Sequence, residues 1–332
     1  MWNWAGIAAA GLLNGSFAVP LKTARTWKFH HIWSVFSLLA MAVIPCAGVA
    51  LAVPAWREIL ASVPRQSWLG LAVLGLVWGA ASLLYGVAVD LLGIALGFAI
   101  QLGLSIVLGA LLPLIWGNAL SLKTLDDWLY LAGLACMVLG VILCAQAGGA
   151  KNAAAGASGA RFRKGLIIAL LGGLGAPLLN FGIQYGISLL REARQIPAGP
   201  LFSANVYVAW AVFLLGAAVT QAGYCFFRIL RDRRLAVFAT KGTGKDFLSV
   251  VLMSLVWSAS VLVYGTSAVG LGQFGVSFGW PIFIGFIVIT SNAWGVILGE
   301  WRLAPRREFF RMLAGSFVLI AAAFLIGQGH HS

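Results

Sequence analysis

The groups in this chain that could do chemistry are amides, hydroxyls and aromatic rings set inside long apolar runs. Trp78, Ser82 and Tyr85 fall at i, i+4 and i+7, which puts them on one helical face. Trp257 and Tyr264 repeat the i, i+7 spacing. Gln101 and Ser105 share a face, as do Gln273, Ser277 and Trp280. Asn180 and Gln184 share another just after Pro177, and Asn14 lies in the middle of the first apolar run. An amide in hydrocarbon is costly unless paired, so these groups are expected to face a bundle interior or a wet cavity. Rings, amides and hydroxyls with no deep charge suit a neutral polyhydroxylated ligand, whose C–H faces stack on aromatic planes while its hydroxyls bond to amides. The competing reading is structural: buried amides cross-link helices, and Trp and Tyr form interfacial belts. Duplication of the Trp and Tyr pair near mid-run favours binding. The substrate-contacting set is therefore expected to be Asn14, Trp78, Tyr85, Gln101, Asn180, Gln184, Trp257, Tyr264, Ser277 and Trp280, lining one central cavity.

Enzymatic chemistry fits poorly. Hydrolysis or group transfer needs a nucleophile with a base, paired carboxylates or a metal. Only nine acids exist, and all but Asp90 and Glu300 belong plainly to loops or helix ends. The four histidines, His30, His31, His330 and His331, fall outside the apolar runs, and no metal-ligand spacing occurs, so neither a metal nor a cofactor is expected. Cys46, Cys136, Cys144 and Cys225 show no paired spacing and read as reduced thiols acting as small hydrophobes. Gly242-Thr243-Gly244-Lys245 faintly resembles a phosphate loop but lacks the first glycine, the following Ser or Thr and a preceding strand.

The elements that must position these groups follow from composition. Of 332 residues 61% are apolar and 9% charged, against about 25% charged in a soluble domain. Such a chain cannot cover a water-soluble globule. Spans need about 20 apolar residues, and reading from breaker to breaker gives ten: 3–21, 33–53, 68–89, 92–116, 127–146, 164–189, 201–226, 247–268, 271–298 and 309–328. Tight turns at Asp90-Leu91 and Val269-Gly270 join the third to the fourth and the eighth to the ninth. A Gly/Ala-rich linker, 147–163, separates two sets of five, 1–146 and 164–332.

A shift of 179 lays the third span over the eighth with nine of 18 positions identical, from Leu76-Val77-Trp78 over Leu255-Val256-Trp257 to Tyr85-Gly86 over Tyr264-Gly265. The two are an odd number of spans apart, so the copies cross in opposite directions. The expected fold class is thus an all-α polytopic membrane protein, ten helices in a 5+5 inverted-topology repeat, the plan of many secondary transporters. Pairs such as Gly75/Gly79, Gly93/Gly97 and Gly295/Gly299 read as close helix packing.

The formal charge of +13 raises nucleic-acid binding, but every Lys and Arg lies between or at the ends of apolar runs. The loops after odd-numbered spans hold 17 of the 22, which by the positive-inside rule makes them cytoplasmic and puts both termini in the periplasm. Met1-Trp2-Asn3-Trp4 has no basic lead-in, so no cleaved signal is expected. Membrane lipids, not nucleic acid, are the expected surroundings; the oligomeric state is left open.

Several segments carry a resemblance. Phe17-Ala18-Val19-Pro20-Leu21-Lys22, Trp27, Trp33-Ser34-Val35, Trp78-Gly79, Tyr85-Gly86, Leu92-Gly93, Leu112-Pro113, Cys225-Phe226-Phe227-Arg228 and the spacing from Trp280 to Glu300-Trp301 resemble the L-rhamnose–proton symporter family of the ten-helix drug/metabolite transporter superfamily. The resemblance implies proton-coupled uptake of L-rhamnose or related 6-deoxy sugars across the bacterial inner membrane. Another branch of the superfamily, exporting amino acids, drugs or other metabolites, is the alternative; a membrane enzyme or scaffold ranks below both. Two departures stand out. The family pattern has an aspartate four residues before the tryptophan of span nine, where this chain has Val276, and an arginine near the end of span three, where it has Asp90. Glu300 and Asp90 are then the candidates for proton coupling.

Overall fold

Proline and glycine set most of the helix ends in the computed structural model. It describes residues 2–92, 94–116, 123–151, 159–196, 203–272, 275–302 and 304–328, and every regular element in them is helical. Gly93, Gln273, His330, His331 and linker residues 152–158 lie outside the described residues, as do the side chains of Tyr85 and Asp90.

The helices are α1 (Trp2–Ser16), α2 (Phe29–Leu38), α3 (Ile44–Ala52), α4 (Trp56–Ser62), α5 (Arg65–Leu92), α6 (Ile94–Trp116), α7 (Leu125–Lys151), α8 (Gly159–Gly175), α9 (Leu178–Glu192), α10 (Val206–Arg231), α11 (Thr243–Gly270), α12 (Gly275–Ile297) and α13 (Arg306–Gln328). Nine described stretches are long and apolar enough to cross a membrane, and 100–115 within α6 is a further, shorter apolar stretch. The chain is a multi-pass integral membrane protein.

Three local expectations need correction. The sixth span is not continuous: α8 stops at Gly175 and α9 starts at Leu178. Pro177 has no N–H to donate and its ring crowds the preceding turn, so the helix breaks there. The second span is likewise interrupted, by a π-turn over Leu39–Val43 between α2 and α3. Pro45, in the first turn of α3, would otherwise crowd the preceding carbonyls, and the wider turn accommodates it. The residues foreseen as turns, Asp90-Leu91 and Val269-Gly270, are helical instead, because α5 continues to Leu92 and α11 to Gly270.

The helices group into two compact units, each drawing on both parts of the sequence. The first comprises 1–15, 81–177 and 267–332. Within it α7 and α13 lie antiparallel and close. A methyl on Gly140 would meet the Gly315 carbonyl at 3.0 Å, and one on Gly133 would meet the Ala322 carbonyl at 3.1 Å. α6 packs on α7, α8 and α12, and Gly11 and Gly15 bring α1 against Phe286 and Thr290 of α12.

The second unit comprises 16–80 and 178–266. Helix α10 is its centre, packing on α2, α3 and α9. It also meets α5, where Gly75 abuts the Phe213 carbonyl and Gly216 the Ala72 carbonyl, while the Thr220 hydroxyl donates to Leu76 O at 2.9 Å. Such backbone approach is how membrane helices gain dispersion contact without a hydrophobic drive between them.

Candidate substrate site

In the second unit the duplicated tryptophans meet. Trp78 and Trp257 stack with ring centroids 6.3 Å apart and planes 25° off parallel. Each has a phenylalanine on its flank, Phe213 beside Trp78 and Phe36 beside Trp257, both at 5.8 Å. The result is a four-ring column, Phe36–Trp257–Trp78–Phe213, from α2, α11, α5 and α10. Aromatic pairs of this kind are worth about 0.5–1.5 kcal/mol each beyond area burial.

Two of the expected site residues from different helices, Tyr264 and Asn180, also meet in this unit. The Tyr264 hydroxyl donates to Asn180 Oδ1 at 2.6 Å, with both residues buried. The breaker at Pro177 matters here, because it starts α9 just before Asn180. Gln184, one turn on, is half-buried. The Trp210 indole lies against Gly265, the residue after Tyr264, a close approach that excludes any side chain there. Beside Trp257 lies an apolar cavity of 110 Å³, bounded by Ala40 of the π-turn, Pro45 and Gly48 of α3, Trp210 of α10 and Ser258 of α11. Ser258 donates to Ala40 O at 3.3 Å, and the Trp210 indole N–H has no acceptor among the described residues.

In the first unit the polar candidates lie on α6 and α12. The Trp280 indole N–H donates to Ser105 O at 3.0 Å, with the Ser105 hydroxyl at 3.3 Å, and its ring covers Gly109. Gln101, 3% exposed, rests its amide on Gly172 of α8, and its Nε2 has no acceptor among the described residues. Ser277 is fully buried; its hydroxyl has no partner among the described residues, while its carbonyl accepts from the Tyr130 hydroxyl at 3.2 Å. Asn14 is half-buried on α1. Each buried donor without a partner forgoes hydrogen bonding that a polyhydroxylated ligand can supply.

The acids divide differently. Val276, at the position where the aspartate was expected, is 2% exposed and carries no proton. Glu300 is half-buried just past α12, whose C-terminus closes with Gly299 in the left-handed region (φ 75°) and a Glu300 N–H bond to Gly295 O at 2.9 Å. Among the described residues no three potential ligands gather to hold a metal.

Some residues of these clusters escaped the sequence reading. Gln221, 1% exposed on α10, accepts from the Trp33 indole at 3.0 Å and the Ser37 hydroxyl at 3.3 Å. It is an amide in an apolar run, the same signal that marked Gln101. Phe36, Phe213 and Tyr130 carried no such signal, since rings alone are common throughout the spans.

The family model for the L-rhamnose-proton symport protein matches residues 1–332. The chain is 26% identical over 338 residues to the L-rhamnose-proton symporter of Cronobacter sakazakii, covering 99% of this chain and 96% of that protein. It is also 26% identical over 337 residues to the proteins of that name from Klebsiella pneumoniae and Escherichia coli O157:H7, with the same coverage. With a family match along its whole length, the chain belongs to the L-rhamnose-proton symport protein family.

Proposed function

We propose that this protein is a secondary transporter that carries L-rhamnose with a proton across the bacterial inner membrane by alternating access. The observation that carries the reading is the Trp78–Trp257 column with an uncharged amide and phenol beside it. A hexose offers flat C–H faces to indoles and hydroxyls to amides, and among the described residues no buried Lys or Arg side chain is present to favour a phosphate or carboxylate ligand. Trp78, Trp257, Asn180, Gln184 and Tyr264 are the proposed sugar contacts of the second unit. Gln101, Ser277, Trp280, Asn14 and Tyr85 are proposed as sugar contacts too, with Gln101 Nε2 and the Ser277 hydroxyl lacking a partner among the described residues.

Ten spans in an inverted 5+5 repeat, with both termini periplasmic, complete the proposal. The matched flanks of the column support the repeat: Trp78 with Phe213 and Trp257 with Phe36 are equally spaced pairs on helices that the repeat relates. Val276 cannot carry the proton, so Glu300 and Asp90 are the proposed coupling groups. Quenching of intrinsic tryptophan fluorescence by L-rhamnose tests the site. Saturable quenching is expected in the native protein, weakened by W257A; a signal that L-rhamnose does not change, or that W257A leaves intact, would contradict it.

A further inference from the structure

Two segments far apart in sequence are fastened into one basic surface. The Asp246 carboxylate, on the first turn of α11, accepts backbone N–H bonds from Arg25, Thr26 and Trp27 at 3.0, 2.8 and 2.7 Å. The Thr23 and Ser249 hydroxyls bond at 2.7 Å, and the Trp27 ring packs edge-on against Phe238 at 5.1 Å. His31 Nε2 reaches the Arg234 carbonyl at 3.1 Å. Gly242, at φ 99°, comes so close to Thr26 that an added methyl would sit 2.9 Å from its hydroxyl. The connection after α1 is thus tied to the loop between α10 and α11.

Together 22–28 and 228–245 bring nine Lys and Arg, while Asp232 and Asp246 are the only acids in or next to them. Asp246 spends its carboxylate inward on backbone N–H groups. Burial pushes the Asp232 carboxyl up, but Arg228 and Arg231 outweigh it and hold the group below the usual range, so it stays ionised. One carboxylate therefore answers an outward-facing surface on which Arg231, Arg233, Arg234, Lys241 and Lys245 are exposed. Exposed apolar side chains border it: Phe227, Leu230, Phe247 and Leu248. The Arg231 guanidinium lies 6.0 Å from the Phe227 ring centroid, which sets cation and apolar surface side by side. That combination marks the level where hydrocarbon meets headgroup.

We infer that this surface is a binding platform for the phosphate headgroups of anionic phospholipids. The match is of charge and level, and it holds whatever substrate the protein carries. Another basic stretch, 302–311, lacks the design: it is one segment, and Arg311 is engaged by Glu308 at 2.8 Å.

The full chain, purified and placed in nanodiscs of equal phosphatidylglycerol and phosphatidylcholine, is taken into mild detergent and its retained lipid measured by mass spectrometry. Phosphatidylglycerol is expected to be enriched. The variant R231Q/R233Q/R234Q is expected to lose that enrichment by on the order of tenfold, since each cation near an anionic surface contributes severalfold. R302Q/R306Q/R307Q, with the same loss of charge elsewhere, is expected to keep it. No enrichment, or equal loss in both variants, would reduce the surface to general loop charge and overturn the inference. Displacement of lipid by inorganic phosphate, but not by chloride of equal ionic strength, would assign a free-anion site instead.

Discussion

Gln101 can serve as a helix cross-link or as a sugar contact, and the two roles have opposite signatures on substitution. Its buried Nε2 has no acceptor among the described residues, so Gln101→Leu removes no bond seen at that atom and relieves an unpaired polar group. Thermal stability is expected to hold or rise, while L-rhamnose affinity falls roughly 2- to 13-fold, the equivalent of one hydrogen bond at about 0.5–1.5 kcal/mol. A fall in stability with affinity unchanged would return Gln101 to cross-linking. Tyr264 behaves differently, because its hydroxyl is engaged with Asn180 at 2.6 Å. Tyr264→Phe takes that bond from a buried amide and is expected to cost about 1–3 kcal/mol, read as a lower melting temperature. An unchanged melting temperature would show that the bond adds nothing to stability. The tryptophan pair was legible in the sequence because duplication across an offset of 179 marks rare residues. Gln221 should have been legible by the rule that marked Gln101. Tyr130 was not, since only the packing of α7 on α12 brings its hydroxyl to the Ser277 carbonyl.

At the scale of the helices, glycines that meet a backbone differ from those that meet nothing. A methyl on Gly75 would collide with the Phe213 carbonyl, and that carbonyl cannot move without shifting α10. Gly75→Ala is therefore expected to destabilise by about 1–3 kcal/mol through overpacking. Gly48 on α3 has no atom within 4 Å of the same position. Gly48→Ala is expected to be neutral or to stabilise by up to about 1 kcal/mol, the helix-propensity difference. Melting temperatures of the two variants in one detergent check the contrast; equal shifts would mean that helix spacing is not set at Gly75. The apolar runs themselves were readable because length and hydropathy are local properties. The break at Pro177 and the π-turn before Pro45 were missed because a proline in a span can kink, break or be absorbed, and neighbouring helices select among these.

At the scale of the whole molecule, loop charge and the proposed repeat make the predictions. Seventeen of 22 cations fall in the loops after odd-numbered spans, so a reporter fused after Arg234 is expected to read cytoplasm and one at the C-terminus periplasm. The reverse pattern would show that packing overrides charge. The proposed inverted repeat was legible in the third and eighth spans, where nine of 18 positions coincide, and faint elsewhere. Each compact unit takes helices from both parts of the chain, a grouping that no local sequence pattern announces. Trp78 and Trp257 pack on each other, and substitution of either disturbs both. Val276 bears on the central claim, because a symporter in this family must carry its proton on some other group. Uptake of labelled L-rhamnose into vesicles tests that claim most directly, with and without an imposed pH gradient. Accumulation is expected when the periplasmic side is the more acidic, abolished by a protonophore and by replacing the proposed coupling carboxylates Glu300 and Asp90 together. Uptake that is equally fast without the gradient, or that fails to exceed diffusion with it, would contradict proton-coupled L-rhamnose transport.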